Sequence, residues 1–190
     1  IDTSEIEKHI TEKTVAIMPV HVFGNPCKVE EIDAIAKKYN LKVIYDAAHA
    51  IGTTVNGESV LEFGDISATS LHATKLLNSA EGGGCVSKDE ELISRLEKIR
   101  FFGHSEDKKD IILDGFNGKL TEVHAALGIV NLKYFDSVLD KRKKLYKYYL
   151  SNLNNQSLEF QMIDQGTNYS YFPIIFPSEN KLLKVESLLN

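Results

Sequence analysis

The chain has 190 residues, 43% of them hydrophobic and 26% charged, and carries a formal net charge of −5. Such a length suits one ordinary domain or somewhat more, with ample core, and the composition is that of a soluble globular protein. The acidic balance, with no basic block or RNA-binding signature, argues against nucleic acid as a partner. No apolar run approaches the roughly 20 residues of a membrane helix, so no membrane association is expected. Cys27 and Cys85 have no metal spacing and fit a reduced, cytoplasmic protein. The chain opens at Ile1 without a start methionine and closes at Leu188-Leu189-Asn190 inside a helical pattern, which reads as a piece of something longer.

Ser4 is the expected cap of a short helix reaching Ile10, with Glu7 completing a capping box. Residues 14–20 hold a continuous apolar run, the pattern of a strand buried on both faces. After a loop over 21–26, Val29, Ile32, Ile35 and Ala36 recur at helical spacing, and 41–46 is the next strand. Strand, helix, strand at this spacing is a right-handed βαβ unit of a parallel sheet. Asn56-Gly57 marks a hairpin within 53–60. Residues 65–71 and 84–87 read as two further strands, flanking a loop that carries Lys75. An amphipathic helix is expected over 89–101, with Leu92, Ile93, Leu96 and Ile99 on one face, then a polar connection over 103–118. Helices follow over 121–132, capped near Thr121, and over 136–152, where Lys141 to Lys144 form a solvated basic face. Beyond Asn155 the character changes to short extended pieces, 169–176 among them. The expected division is thus 1–135 as part of a large domain, 136–155 as a linking helix and 156–190 as an incomplete small domain.

Two strand ends carry the chemistry. Asp46 closes the strand 41–46 and opens Asp46-Ala47-Ala48-His49; Lys75 closes Ser70-Leu71-His72-Ala73-Thr74-Lys75, ahead of Glu81-Gly82-Gly83-Gly84. Singly, each residue has a plainer explanation: Asp46 as a cap of the next turn, Lys75 as a solvated loop lysine, Ser70 as a strand residue, His49 as a satisfied core histidine. In combination, an acid at one strand end and a lysine after the next are the fixed points of a pyridoxal 5'-phosphate (PLP) site. The lysine amine forms a Schiff base with the aldehyde, and the carboxylate keeps the pyridinium nitrogen protonated so that the ring accepts carbanion charge. His72 reads as structural support in the loop, His21 and Cys85 as packing or loop residues, and the glycines 82–84 as permitting close backbone approach beneath the lysine loop. No Gly-x-Gly-x-x-Gly turn follows a strand, which weighs against a plain nucleotide-binding domain.

Several motifs in one register resemble the DegT-type sugar-nucleotide aminotransferases, a branch of the fold-type I PLP enzymes. They are Met18-Pro19-Val20-His21-Val22-Phe23-Gly24-Asn25-Pro26, Val43-Ile44-Tyr45-Asp46-Ala47-Ala48-His49, Gly64-Asp65-Ile66-Ser67, the run Ser70 to Lys75, Glu81-Gly82-Gly83, Arg100 with Gly103, and Gly115-Phe116-Asn117-Gly118-Lys119-Leu120. The resemblance spans about Pro19 to Gly128, and 169–176 is similar to the opening strand of the family's C-terminal domain. It implies an α/β fold of the PLP-dependent transferase (aspartate aminotransferase) type: a three-layer αβα large domain with a mainly parallel sheet, plus the start of a small C-terminal α/β domain.

The same resemblance implies PLP as cofactor, with Lys75 as the Schiff-base lysine and Asp46 as partner of the pyridine nitrogen. His49, where the family often has glutamine, would lie beside the phenolic oxygen, and Ser70 would donate its hydroxyl to the phosphate. Asn117 matches the asparagine that reaches the phosphate in the neighbouring subunit, implying a homodimer. The implied substrates are a nucleotide-linked keto sugar and an amino-acid donor, glutamate by expectation, for polysaccharide or secondary-metabolite amino sugars. Dehydratases of the family carry histidine in place of the lysine, so Lys75 points to transamination. The family's Gly-Thr-rich phosphate-binding turn and ring-stacking aromatic have no counterpart in Ile1 to Pro19. A fragment lacking the N-terminal segment and part of the C-terminal domain is therefore expected. The alternative is a non-catalytic, truncated remnant acting only as a dimerisation or partner-binding domain, against which the intact Asp46, Ser70 and Lys75 stand.

Overall fold

In the computed structural model, which describes residues 1–153 and 157–189, the chain begins with helix α1 (Thr3–His9). Its cap is Asp2 rather than the expected Ser4. The Asp2 carboxylate accepts the Ser4 N–H at 3.0 Å and the Ser4 hydroxyl at 2.7 Å. An ionised carboxylate is the stronger acceptor and also meets the positive end of the helix dipole. Ser4 is thereby drawn into the first turn, and Glu7 pairs with Lys38, 2.9 Å away.

Strand β1 (Ala16–Ile17), helix α2 (Val29–Tyr39) and strand β2 (Lys42–Asp46) form the expected βαβ unit, with β1 and β2 parallel. The helix stops at Asn40, whose left-handed backbone (φ 53°) turns its N–H onto the Ala36 and Lys37 carbonyls. The apolar face of α2 (Val29, Ile32, Ala36) packs with Ile6, Ile17, Val43 and Tyr45 into the main core. Excluding Ile32 fully from water contributes about 1.5–3 kcal/mol.

The run 14–20 departs from expectation: only Ala16–Ile17 is strand, extended by a single bridge from Val20 to Asp46. Ile17 is buried, while Val15 and Met18 are 76% and 67% exposed. The helices cover one face of the sheet here, and the face bearing Met18 and Ile44 is open, so the run is buried on one side only.

Hairpin strands β3 (Thr54–Val55) and β4 (Glu58–Ser59) turn at Asn56-Gly57, both with positive φ (52° and 86°), as that two-residue turn demands. Strand β5 (Ile66–Ser70) then pairs parallel with β2 and antiparallel with β6 (Gly83–Val86), giving the order β1-β2-β5-β6. Helices α3 (Glu90–Arg100, capped by Asp89), α4 (Glu122–Lys133, capped by Thr121) and α5 (Phe135–Asn152) begin within one residue of their expected starts. Antiparallel β7 (Glu159–Phe160) and β8 (Ile174–Ile175) precede helix α6 (Glu179–Leu189). The expected boundary after Asn155 lies outside the described residues. No helix among the described residues is long and apolar enough to cross a membrane.

His21 is wholly buried beside this sheet. Its ring stacks on Tyr45 with centroids 4.7 Å apart, and its Nδ1 accepts the Cys27 N–H at 2.9 Å. Burial pulls its pKa from 6.5 down to about 4, only partly offset by the attraction of Asp46. Between those pH values the unfolded chain binds a proton that the folded chain refuses, so stability is full above pH 6.5 and falls as pH drops through the window. Urea unfolding should therefore show a loss on the order of 3 kcal/mol from this group between pH 7 and pH 4. His21→Asn, which keeps an acceptor for Cys27, should remove that part of the pH slope; an unchanged slope would reject the assignment.

Candidate active site

Two neighbouring parallel strands end side by side, the usual place for ligands in an open α/β sheet. Asp46 at the end of β2 stands opposite Ala68 in β5. Ser70, two residues further along, shares that face because side chains alternate along a strand. Asp46 and Ser70 line one concavity on the open face with Met18, Ile44, Ala48 and Ala68. The Asp46 backbone is fixed from both sides: its N–H donates to the Pro19 carbonyl at 2.9 Å, and its carbonyl accepts the His21 N–H at 3.0 Å. Its Oδ1 accepts the Ala48 N–H at 3.0 Å, which orients the carboxylate.

Lys75 sits on a loop held by its own polar groups. The Ser70 hydroxyl accepts the His72 N–H (3.3 Å), which leaves the hydroxyl proton available to a ligand. His72 Nδ1 accepts the Thr74 N–H (3.2 Å), and the His72 carbonyl accepts the Lys75 N–H (2.9 Å). His72 is thus a structural brace, as expected. Leu71 is hydrogen-bonded to Gly82 and Ser79, and α4 clamps the far end of the loop through Asn131, whose side-chain amide donates to the Asn78 carbonyl at 2.8 Å. Beneath it, a Cβ on Gly83 would lie 2.8 Å from the Thr69 carbonyl oxygen, so the two backbones approach in the way the glycine run implied.

Beyond Ser70 and Ala48, a second pocket is lined by His49, Lys75, Asn168, Ser170 and Tyr171. The His49 ring lies 4.7 Å from that of Tyr171 and nearly parallel to that of Phe23 at 6.2 Å. Burial lowers the His49 pKa; the charge of Lys75 lowers it further, against a contrary pull from Asp46. The ring is therefore neutral at pH 7, and its buried Nδ1 has no hydrogen-bond partner. A carboxylate, a hydroxyl, a lysine amine and a neutral imidazole with an unanswered nitrogen fit a ligand bearing a basic ring nitrogen, a phosphate and a carbonyl, as PLP does.

Asp46, His49, Ser70 and Lys75 thus come together around two adjoining pockets. Asn117 does not: it is exposed, pairs with Phe101 in an isolated bridge, and lines neither pocket. Phe23, Asn168 and Tyr171 were not singled out by sequence reasoning. Asn168 and Tyr171 lie more than a hundred positions from His49, and no local pattern links them.

All of residues 1–190 match the model of the DegT/DnrJ/EryC1/StrS aminotransferase family. The chain belongs to that family. It is 42% identical over 184 residues to a dTDP-4-amino-4,6-dideoxy-D-glucose transaminase of Shigella dysenteriae, covering 95% of this chain and 50% of the relative. Helicobacter pylori PseC, an aminotransferase involved in the biosynthesis of pseudoaminic acid, superposes with a TM-score of 0.91 at 29% identity, covering 99% of this chain and 53% of that one. An Escherichia coli GDP-4-keto-6-deoxy-D-mannose-3-dehydratase solved with bound hydrated PLP is similar at 26% identity and a TM-score of 0.87, covering 99% of this chain and 54% of that one. The chain spans about half the length of the relatives it matches. The expected fold, that of the fold-type I PLP enzymes, holds for the family member described here.

Gly83→Ala should destabilise the protein by about 1–3 kcal/mol in denaturant unfolding, because backbone and not a flexible side chain blocks the new methyl group. Gly84→Ala, whose Cβ would meet only the Thr69 methyl at 3.8 Å, should stay within about 0.5 kcal/mol. Equal losses would contradict the close approach beneath the lysine loop.

Proposed function

We propose that this chain carries the cofactor site of a PLP-dependent aminotransferase that moves an amino group from an amino acid, glutamate by expectation, to a nucleotide-linked keto sugar. The observation that carries the reading is the convergence of Asp46, Ser70 and Lys75 at the ends of two adjacent parallel strands. PLP, when bound, supplies the electron sink for carbanion charge. With PLP bound, Lys75 Nζ would be the group that holds the aldehyde carbon and the base placed to take a proton from the substrate carbon. Asp46 would hold the proton on the ring nitrogen. Ser70 would donate its free hydroxyl proton to the phosphate, and neutral His49 would orient the ring.

Asn117 serves the site of a second copy in a homodimer, which accounts for its exposure away from Lys75. The cofactor-binding part is 1–135, joined through 136–155 to a small-domain part at 156–190. Work in the cytoplasm suits the two unpaired cysteines. The names of the relatives support a sugar substrate on a dTDP or GDP carrier, with the aminated product destined for polysaccharide or secondary-metabolite synthesis. A remnant used only for dimerisation has no physical need for the Asp46, Ser70 and Lys75 grouping.

Purified protein mixed with PLP should gain a visible absorption band, and borohydride followed by peptide mapping should fix the cofactor to Lys75. Lys75→Ala should abolish both the adduct and amino transfer, and Asp46→Asn should lower kcat by about 10²–10³ while leaving the adduct in place. An adduct on another lysine, or transfer activity in Lys75→Ala, would overturn the proposal.

A further inference from the structure

Three stretches of chain meet beside the second pocket, two of them lining it, and one side chain touches all three. Asn168 is wholly buried. Its Nδ2 donates to the carbonyls of His49 (2.7 Å) and Ile51 (2.8 Å), and its Oδ1 accepts the backbone N–H (3.0 Å) and the hydroxyl (2.7 Å) of Ser170. Both donors and both acceptor sites of the amide are therefore in use. The third stretch is 22–24. Gly24 has a positive φ of 80°, and a Cβ there would lie 1.9 Å from Asn168 Oδ1. The Gly24 carbonyl is held in turn by the hydroxyls of Thr53 (2.7 Å) and Thr167 (3.1 Å).

Each stretch contributes one ring to a single aromatic wall: Phe23, His49 and Tyr171. His49 and Tyr171 line the same pocket as Lys75. We infer that Asn168 is a positioning residue, which locks the turn at His49 and the Tyr171 segment together so that the Phe23–His49–Tyr171 wall is set against Lys75. This rests on the assignment of the Lys75 pocket as the PLP site. The chemistry demands an amide. Aspartate offers no donor and would press a carboxylate onto two carbonyl oxygens, and alanine would leave those carbonyls and the Ser170 groups unanswered in a buried place.

The test compares wild type, Asn168→Ala and Thr167→Val, the last of which removes one hydroxyl from the same junction without touching the turn at His49. Thermal unfolding, PLP dissociation constant, the pH dependence of the bound-cofactor absorption band, and kcat and KM for amino transfer are measured well below the melting temperatures. Asn168→Ala should weaken PLP binding at least about tenfold, shift the pH dependence of the band, and lower kcat/KM by about a hundredfold, the scale on which a misplaced group costs rate. Thr167→Val should melt earlier with its band and pH profile unchanged. A wild-type pH profile and PLP affinity in Asn168→Ala, or the same changes in Thr167→Val, would overturn the inference. Should Asn168→Ala not fold, Tyr171→Ala removes one ring from the wall directly; it should shift the band's pH dependence, and an unshifted profile with wild-type affinity would also overturn it. If wild type itself takes no borohydride-fixed PLP on Lys75, the assignment of the site fails first, and the result is read against that assignment.

Discussion

The parallel register of β2 against β5, with Asp46 opposite Ala68, is the constraint on which the site depends. It sets the Asp46 carboxylate and the Ser70 hydroxyl on one face at the same end of the sheet, while Val43, Tyr45 and Ser67 turn to the buried face. Because the side-chain period of a strand is two, a slip of one residue would send the carboxylate into the core and Tyr45 into the open. Burial of Tyr45, Val43 and Ile17 against α2 therefore fixes the chemistry as firmly as it fixes the fold. A buried carboxylate facing the α2 side would also lack partners among those apolar groups, which adds an electrostatic penalty to the wrong register.

The lysine loop shows how irregular backbone is held without a ladder of its own. Local side-chain acceptors satisfy its first N–H groups, the glycine strand beneath lies close enough to exclude a methyl group, and Asn131 reaches in from α4. Placing Lys75 between such anchors limits its backbone while its half-buried side chain lines the pocket beside His49. His49 faces the opposite demand: its ring is enclosed between Phe23 and Tyr171, and that enclosure together with the nearby lysine keeps it neutral.

What was legible in the sequence was what local physics decides. The spacing of Val29, Ile32 and Ala36, the Asn56-Gly57 turn and the cap near Thr121 each act within a few residues, and the structure follows them. The neighbourhood of Asp46 and Lys75 was legible because Asp46 ends one strand of clear pattern and Lys75 lies on the loop that follows the next. Two local readings failed for local reasons: Asp2 out-competes Ser4 as a cap, and the apolar run at 14–20 is covered on one side alone. The contribution of Asn168 and Tyr171 was not legible at all. Their contacts with His49 are made across more than a hundred residues, where neither periodicity nor turn chemistry carries information. The exposed position of Asn117 is equally a matter of tertiary placement.

The central claim, that one PLP molecule is held between Asp46, Ser70 and Lys75, is tested most directly by a crystal structure of the protein grown with PLP and reduced with borohydride. The account predicts continuous density from Lys75 Nζ to the cofactor, with the ring nitrogen within hydrogen-bond distance of the Asp46 carboxylate and the phosphate at the Ser70 hydroxyl. Density joined to a different lysine, or a ring nitrogen placed away from Asp46, would contradict it.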